Sequence, residues 1–318
     1  MGSARWSLQT SHLILIMSFP IWFIVFGFVL GTVLGSLLKV LADRGLSGKS
    51  FFGRSCCLDC QKKLLWYDLV PLVSYILLKG RCRYCRKKIG WEYPAVEIIS
   101  GILIGYLFFL SYSTLPALSD PLKLILFSLE LVFKIFFITV LLSLFLTDYK
   151  KMLIPDRIIL PSIIISAIFI FVINLYKVAY LYIYLQSHPI GKYLLPPYSS
   201  YFQDRVLSNI QDLFTHIGAG LGLGTFFLLL ILLTKGKGMG GGDVKLGMFM
   251  GIALGPINTI IATTLAFFTG AIFSIFLILV KKGSLKSVVP FGPFLVIGSL
   301  VALFWGNWIL DKYFNLFQ

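Results

Sequence analysis

Nothing constrains this chain more than a series of apolar runs, most near the ~20 residues that a helix needs to cross a bilayer. They fall at about 13–38, 94–111, 124–147, 158–175, 216–234, 244–256, 257–280 and 289–310. Hydrophobic residues make up 58% of the 318 and charged residues only 13%, where a soluble domain carries roughly 25% charged. The period-two alternation of a β-barrel is absent. The sequence therefore predicts an all-α polytopic membrane protein with about eight transmembrane helices, the sixth and seventh divided at Pro256. The first run is longer than the apolar core of a cleaved leader, and no clear small-x-small cleavage site follows, so an anchored first helix is expected.

Charge orients these spans. Of 28 Lys and Arg, twelve lie between Lys39 and Lys88, and further groups fall at Lys150–Arg157, Lys235–Lys245 and Lys281–Lys286. The positive-inside rule puts all four groups in the cytoplasm and both termini outside it. The expected organisation is a first helix over 1–38, a cytoplasmic loop over 39–93 and a membrane core over 94–318. That core carries an external insertion at 176–215, rich in Tyr as suits a membrane interface. The net charge of +15 follows from this topology and from contact with the anionic lipid bilayer. Nucleic acid is not an expected partner, because the basic residues sit in short loops between spans.

All five cysteines fall in the 39–93 loop. Cys57-x-x-Cys60 and Cys82-x-x-Cys85 repeat each other within "CLDCQKKLLWYD" and "CRYCRKKIGWEY", at a period of 25. Two equivalent knuckles giving two thiolates each can close a tetrahedral four-cysteine zinc site, structural because protein fills every position. A reducing cytoplasm disfavours disulfides. The alternative is a set of buried or redox cysteines without metal, and Cys56 reads as a spare. A loop this small would draw much of its stability from the ion.

Only thirteen Asp and Glu are present. Glu130 and Lys134, spaced i,i+4 in the third span, are expected to neutralise each other. Asp148 in "LFLTDYKKMLIPDR" ends that span, and Asp243 opens the sixth within "KGKGMGGGDVKLG". Ionisable groups at such depth are costly and usually functional. Two carboxylates meeting at the cytoplasmic boundary suit an aspartic-protease pair, one ionised to take a proton from water, the other protonated to polarise a carbonyl. Gly238, Gly240, Gly241 and Gly242 then read as a catalytic loop whose backbone adopts φ > 0 and approaches a substrate closely. A plain cytoplasmic turn is the alternative. A phosphate-binding loop is weaker, since the Gly-Lys-Ser/Thr ending is missing.

These motifs, in this order and spacing, resemble the bacterial prepilin peptidases, the type IV leader peptidase family. "VLGTVLGSLLKV" resembles the family's opening helix, in which Gly27, Gly31 and Gly35 form a packing ridge of small residues. The cysteine region resembles the family's through "PAVEIISG" of the second span, and "TDYKKMLIPD" and "GMGGGDVKLGMFMG" resemble its two aspartate motifs. The resemblance implies an aspartic endopeptidase of the bacterial cytoplasmic membrane with Asp148 and Asp243 as its catalytic pair. Asp156 matches a companion position, where helix N-capping is expected. Its substrates would be prepilins or pseudopilins, cut after a glycine on the cytoplasmic side. It further implies N-methylation of the new terminus from S-adenosylmethionine, associated with the cysteine region and thus with Gly80, Arg81 and Glu97. Lys39 stands where the family commonly has Asn, and residues 176–215 replace a short loop. A peptidase without methyl transfer, an ion-coupled transporter using the two aspartates, and a non-catalytic assembly platform are the other readings.

Overall fold

Backbone N–H and C=O groups in lipid must bond within their own segment, so the apolar runs fold as helices. A computed structural model describes residues 3–47, 53–57, 59–116, 120–236, 239–280 and 289–316, with side chains from Ile21 onward apart from Ser47. Among these, seven helices are long and apolar enough to cross a membrane. The chain divides into two units, Met1–Pro116 and Ala117–Gln318, so the second span groups with the first and with the cysteine loop.

In the first unit α1, Ser3–Ser47, runs on past residue 38, where the sequence suggested a loop. A short α2, Val73–Leu77, follows within the cysteine region, and α3 spans Glu92–Tyr112. The glycine ridge of α1 packs on α3 as expected. A Cβ on Gly31 would lie 2.5 Å from the carbonyl oxygen of Ser100, and one on Gly35 2.9 Å from the Cα of Glu97. That closeness lets the Ser100 hydroxyl donate to the Gly31 carbonyl across the interface at 2.8 Å.

The second unit holds α4 (Pro121–Lys151), α5 (Asp156–Ser187), α6 (Tyr201–Leu233), α7 (Gly241–Leu279) and α8 (Gly292–Asn315). Leu141, Leu144, Ile159, Phe227, Leu246, Phe249 and Leu295 form its buried core. The 176–215 segment is largely helical. α5 continues to Ser187 and α6 begins at Tyr201, with Tyr182 and Phe202 packing ring to ring at 5.9 Å. At 32 and 33 residues each helix is about 48–50 Å long, well beyond the ~30 Å hydrocarbon core.

The expected sixth and seventh spans form one continuous stretch, α7, which nevertheless reverses. Gly255 breaks the helix with φ 73° and ψ 175°, just before Pro256. The first half runs antiparallel to α6, Gly247 meeting Leu223 and Phe227 while Gly251 meets Gly220. The second half runs antiparallel to α8, with Asn258 against Gly306 and Gly270 against Phe291 and Phe294. A straight helix would carry Gly270 about 40 Å from Asp243. Instead it returns to Phe291, the neighbour of a glycine that touches Asp148. Among the described residues the seven apolar helices thus supply eight lengths, α7 giving two, and Gly255 is the corner between them. Pro256 cannot donate to the Ile252 carbonyl, and the Nδ1 of His216 bonds that oxygen instead at 2.8 Å.

Candidate active site

Both candidate carboxylates belong to the second unit, and its packing brings them together. Asp148 sits in the last turn of α4. That helix ends at Met152, whose left-handed backbone (φ 50°) lets its N–H close on the Asp148 carbonyl at 2.7 Å. The chain then turns through Ile154, which packs on Gly242, so the end of α4 and the start of α7 are held side by side. A Cβ on Gly242 would lie 3.0 Å from the Cβ of Ile154. Asp243, third residue of α7, accepts the Gly240 N–H on Oδ2 at 3.3 Å and returns its own N–H to the Gly240 carbonyl at 3.1 Å.

The two carboxylates are 6% and 9% exposed, and the charge of Asp148 acts directly on Asp243. Asp148 also faces the N-terminus of α8. The N–H of Gly292 acts on its carboxylate, and a Cβ at that glycine would collide with Oδ2. Among the described groups none donates a hydrogen bond to Asp148 Oδ2. Two buried acids of one unit, one of them with an oxygen that accepts no hydrogen bond among the described groups, are suited to act as an acid and a base on a water.

The glycines divide in their roles. Gly240 is extended (φ −88°, ψ 154°) and Gly241 and Gly242 open α7, so none of the three takes the left-handed backbone expected of them. Gly242 is needed for close packing, whereas a Cβ on Gly240 or Gly241 would meet no atom of the described residues within 4 Å. Gly238 lies outside the described residues. Asp156 also departs from expectation: Pro155 occupies the cap position, and Asp156, first residue of α5, pairs with Lys245 of α7. Glu130 pairs across helices with Lys177 at 3.6 Å, where its own helix neighbour Lys134 was expected.

In the first unit the Sγ atoms of Cys57, Cys60, Cys82 and Cys85 lie within 4.8 Å of one another. A tetrahedron of thiolates ~2.3 Å from an ion has edges of about 3.8 Å, and Cys57 and Cys85 stand 3.9 Å apart. The knuckles match bond for bond. Cys56 bridges Lys63 as Arg81 bridges Lys88, and Gln61 and Arg86 are both left-handed. The Cys85 N–H lowers the Cys82 thiol to about 7 against the effect of burial. At Cys85 the Lys87 N–H is outweighed by burial and the three neighbouring thiols, which push it up to about 11. Four thiols this close cannot all ionise without a cation among them, so the residues fit a metal ion. Cys56 is exposed and outside the group.

The three residues associated with methyl transfer differ in their surroundings. Gly80 (φ 66°) turns the chain into the second knuckle, the Arg81 side chain is exposed, and Glu97 is buried in α3. Glu97 accepts the N–H of Leu72 at 2.8 Å, in a turn where Leu72 is itself left-handed (φ 58°). Sequence reasoning missed several contacts, among them Gly292 on Asp148, Lys245 on Asp156, and the 2%-exposed Lys39 on Asp43 at 3.2 Å and on Glu92 at 3.0 Å. Gly292-Pro293 carries a legible helix-start signal, but nothing in it names the carboxylate it faces.

Two families match this chain. The Bacterial Peptidase A24 N-terminal domain matches residues 29–111, and the Type IV leader peptidase family matches 198–275, a stretch that includes Asp243 but not Asp148. The chain is 31% identical over 267 residues to a prepilin leader peptidase/N-methyltransferase of Aeromonas salmonicida (strain A449), covering 82% of this chain and 75% of that one. It is 26% identical to the protein of that name from Bacillus subtilis (strain 168), over 91% of this chain and 97% of that one. An 82-residue stretch is 43% identical to the Myxococcus xanthus (strain DK1622) protein of that name, covering 26% of this chain and 24% of that one. No solved structure matches it.

Proposed function

The chain belongs to the bacterial prepilin peptidases, the type IV leader peptidase family, and from that premise we propose that Asp148 and Asp243 are the carboxylates with which it cuts prepilin leaders. The observation that carries the assignment is that two buried acids from α4 and α7, distant in sequence, lie within electrostatic reach of each other in one unit. Two buried carboxylates that lie within each other's field do not both ionise readily, so the pair works with one proton. The ionised member takes a proton from water as that water attacks the scissile carbonyl, and the protonated member donates to the carbonyl oxygen. The Gly240 N–H orients Asp243, and Gly292 lies against Asp148 Oδ2, which accepts no hydrogen bond among the described groups. Gly240 and Gly241 are exposed beside the pair, where an extended substrate backbone would approach it.

The substrates are prepilins or pseudopilins whose apolar segment diffuses in the inner membrane and presents the leader junction to the pair. Both termini of the enzyme lie outside the cytoplasm, a reading supported by the bias of Lys and Arg. The metal is zinc, held by Cys57, Cys60, Cys82 and Cys85, and it would bind the two knuckles to each other without touching the substrate. The new N-terminus is also methylated from S-adenosylmethionine, which the names of the relatives support. In that activity Glu97 shapes the loop through Leu72, and Gly80 and Arg81 flank it.

The test incubates the purified protein in detergent with a prepilin and S-adenosylmethionine, then sequences and weighs the product. The expected product begins after the leader glycine and carries one methyl group. An Asp243→Asn protein that binds metal and still cleaves would move the catalytic carboxylates elsewhere.

A further inference from the structure

The cysteine module leaves its largest apolar side chains in the open, and the knuckle repeat makes this systematic. Trp66 and Trp91 occupy equivalent places 25 residues apart, and they are 79% and 69% exposed. Between the knuckles, α2 presents Ile76 and Leu77 at 72% and 75%. A single exposed indole is ordinary. Two at matched positions, with an exposed Ile-Leu pair between them in the chain, leave the module with apolar area that needs a partner.

The page identifies that partner by position and by charge. Trp91 directly precedes α3, which begins at Glu92 and is apolar enough to cross the membrane, so it stands where the chain enters the bilayer. Indoles concentrate at that depth, with the ring among headgroups. The module's other end continues from α1, also a span, so neither end can leave the membrane surface. Residues 53–91 carry nine Lys and Arg against two Asp. Both acids are already engaged, Asp68 by Arg83 and Asp59 by Lys87, each at 2.7 Å. A strongly cationic surface set with exposed aromatic and aliphatic side chains matches an anionic phospholipid headgroup layer.

We propose that the metal module lies on the cytoplasmic bilayer surface, with Trp66, Trp91 and the Ile76-Leu77 pair at headgroup depth and its basic residues over anionic lipid. The bilayer then completes a module too small to bury these side chains. Its metal knuckles hold the two indoles at one depth.

The experiment replaces Trp66 in the full-length protein by p-benzoyl-L-phenylalanine and reconstitutes it in nanodiscs of phosphatidylcholine, with or without phosphatidylglycerol. After irradiation, adducts are identified by mass spectrometry and metal content is measured alongside. The expected adducts are to phospholipid, several-fold more abundant where phosphatidylglycerol is present. Adducts confined to protein, whether another part of this chain, a second copy or an added prepilin, would overturn the proposal. So would a phospholipid yield unchanged by the anionic lipid. If the Trp66 variant loses its metal, Ile76→p-benzoyl-L-phenylalanine carries the same test with the same outcomes.

Discussion

The ammonium of Lys245, two residues beyond Asp243, meets the carboxylate of Asp156, eight residues beyond Asp148. This pair ties the start of α5 to the start of α7 beside the Ile154–Gly242 contact, so an ionic and an apolar link flank the candidate catalytic pair. Asp156 is 59% and Lys245 34% exposed. An ion pair so exposed contributes about 0–1 kcal/mol, a factor of about five at most. Asp156→Asn and Lys245→Met should therefore each lower prepilin cleavage by no more than about fivefold. Abolition of cleavage by Asp156→Asn alone would mean that Asp156 takes part in the chemistry.

Asp148→Asn and Asp243→Asn should behave quite differently. Each should lower cleavage by about 10³-fold or more, and the double variant should be no worse than either single, because groups acting as one unit lose their function together. The wild-type rate against pH should be bell-shaped, with limbs that belong to the pair and to neither residue alone. Single-turnover rates of the four proteins decide this, and additive losses in the double variant would argue against a shared mechanism.

Two glycines are predicted to fail for steric reasons and one to tolerate change. Gly242→Val drives side-chain atoms into Ile154, and Gly292→Ala drives a Cβ into Asp148 Oδ2. Both should cut kcat severely while membrane insertion and metal content stay normal. Gly241→Ala meets no atom of the described residues within 4 Å and should keep most of the activity. An inactive Gly241→Ala beside an active Gly242→Val would reverse the roles assigned to these glycines.

The metal should be present at about one ion per chain, since four thiolates close one tetrahedral site. Cys57→Ser or Cys85→Ser should remove it, and Cys56→Ser should not. Binding needs deprotonated thiols, and Cys85 without a metal is pushed up to about 11, so uptake must release protons. Affinity should therefore fall as pH falls, with chelator extraction easier at acidic than at neutral pH. Elemental analysis after dialysis across pH reads this directly, and full retention by a double Cys57/Cys85 variant would exclude the site.

His216 should matter to stability through one carbonyl. Its ring bonds the Ile252 oxygen that Pro256 leaves without a donor, and His216→Ala would strand that oxygen at the helix corner. An unsatisfied buried acceptor costs about 1–3 kcal/mol. The variant should unfold at lower temperature in detergent, with its catalytic residues unaltered. An unchanged melting curve would mean that another group satisfies the carbonyl.

Much of this molecule is written along the chain. Hydropathy is a local property, so the spans could be counted directly, and Pro256 betrayed the corner because it removes a donor wherever it stands. The cysteine repeat was legible because metal spacing is itself periodic. Asp148 and Asp243 stood out because a carboxylate beside apolar residues is costly and needs a reason. Partners across helices were another matter. Asp156 looked like a cap until α7 brought Lys245 to it, and Glu130 met Lys177 of α5 where Lys134 was the nearer residue in sequence. The glycines before Asp243 suggested left-handed backbone, which Gly236 takes but Gly240, Gly241 and Gly242 do not; Gly255 at the corner is left-handed as well, and Gly242 serves an approach to Ile154. Gly292 gave no sign of Asp148 at all. A helix dictates its own hydrogen bonds and therefore its own sequence pattern, but which face meets which neighbour depends on the packing of every helix at once. That is why the tertiary structure alone could set Gly292 against Asp148 and bring Asp148 to Asp243.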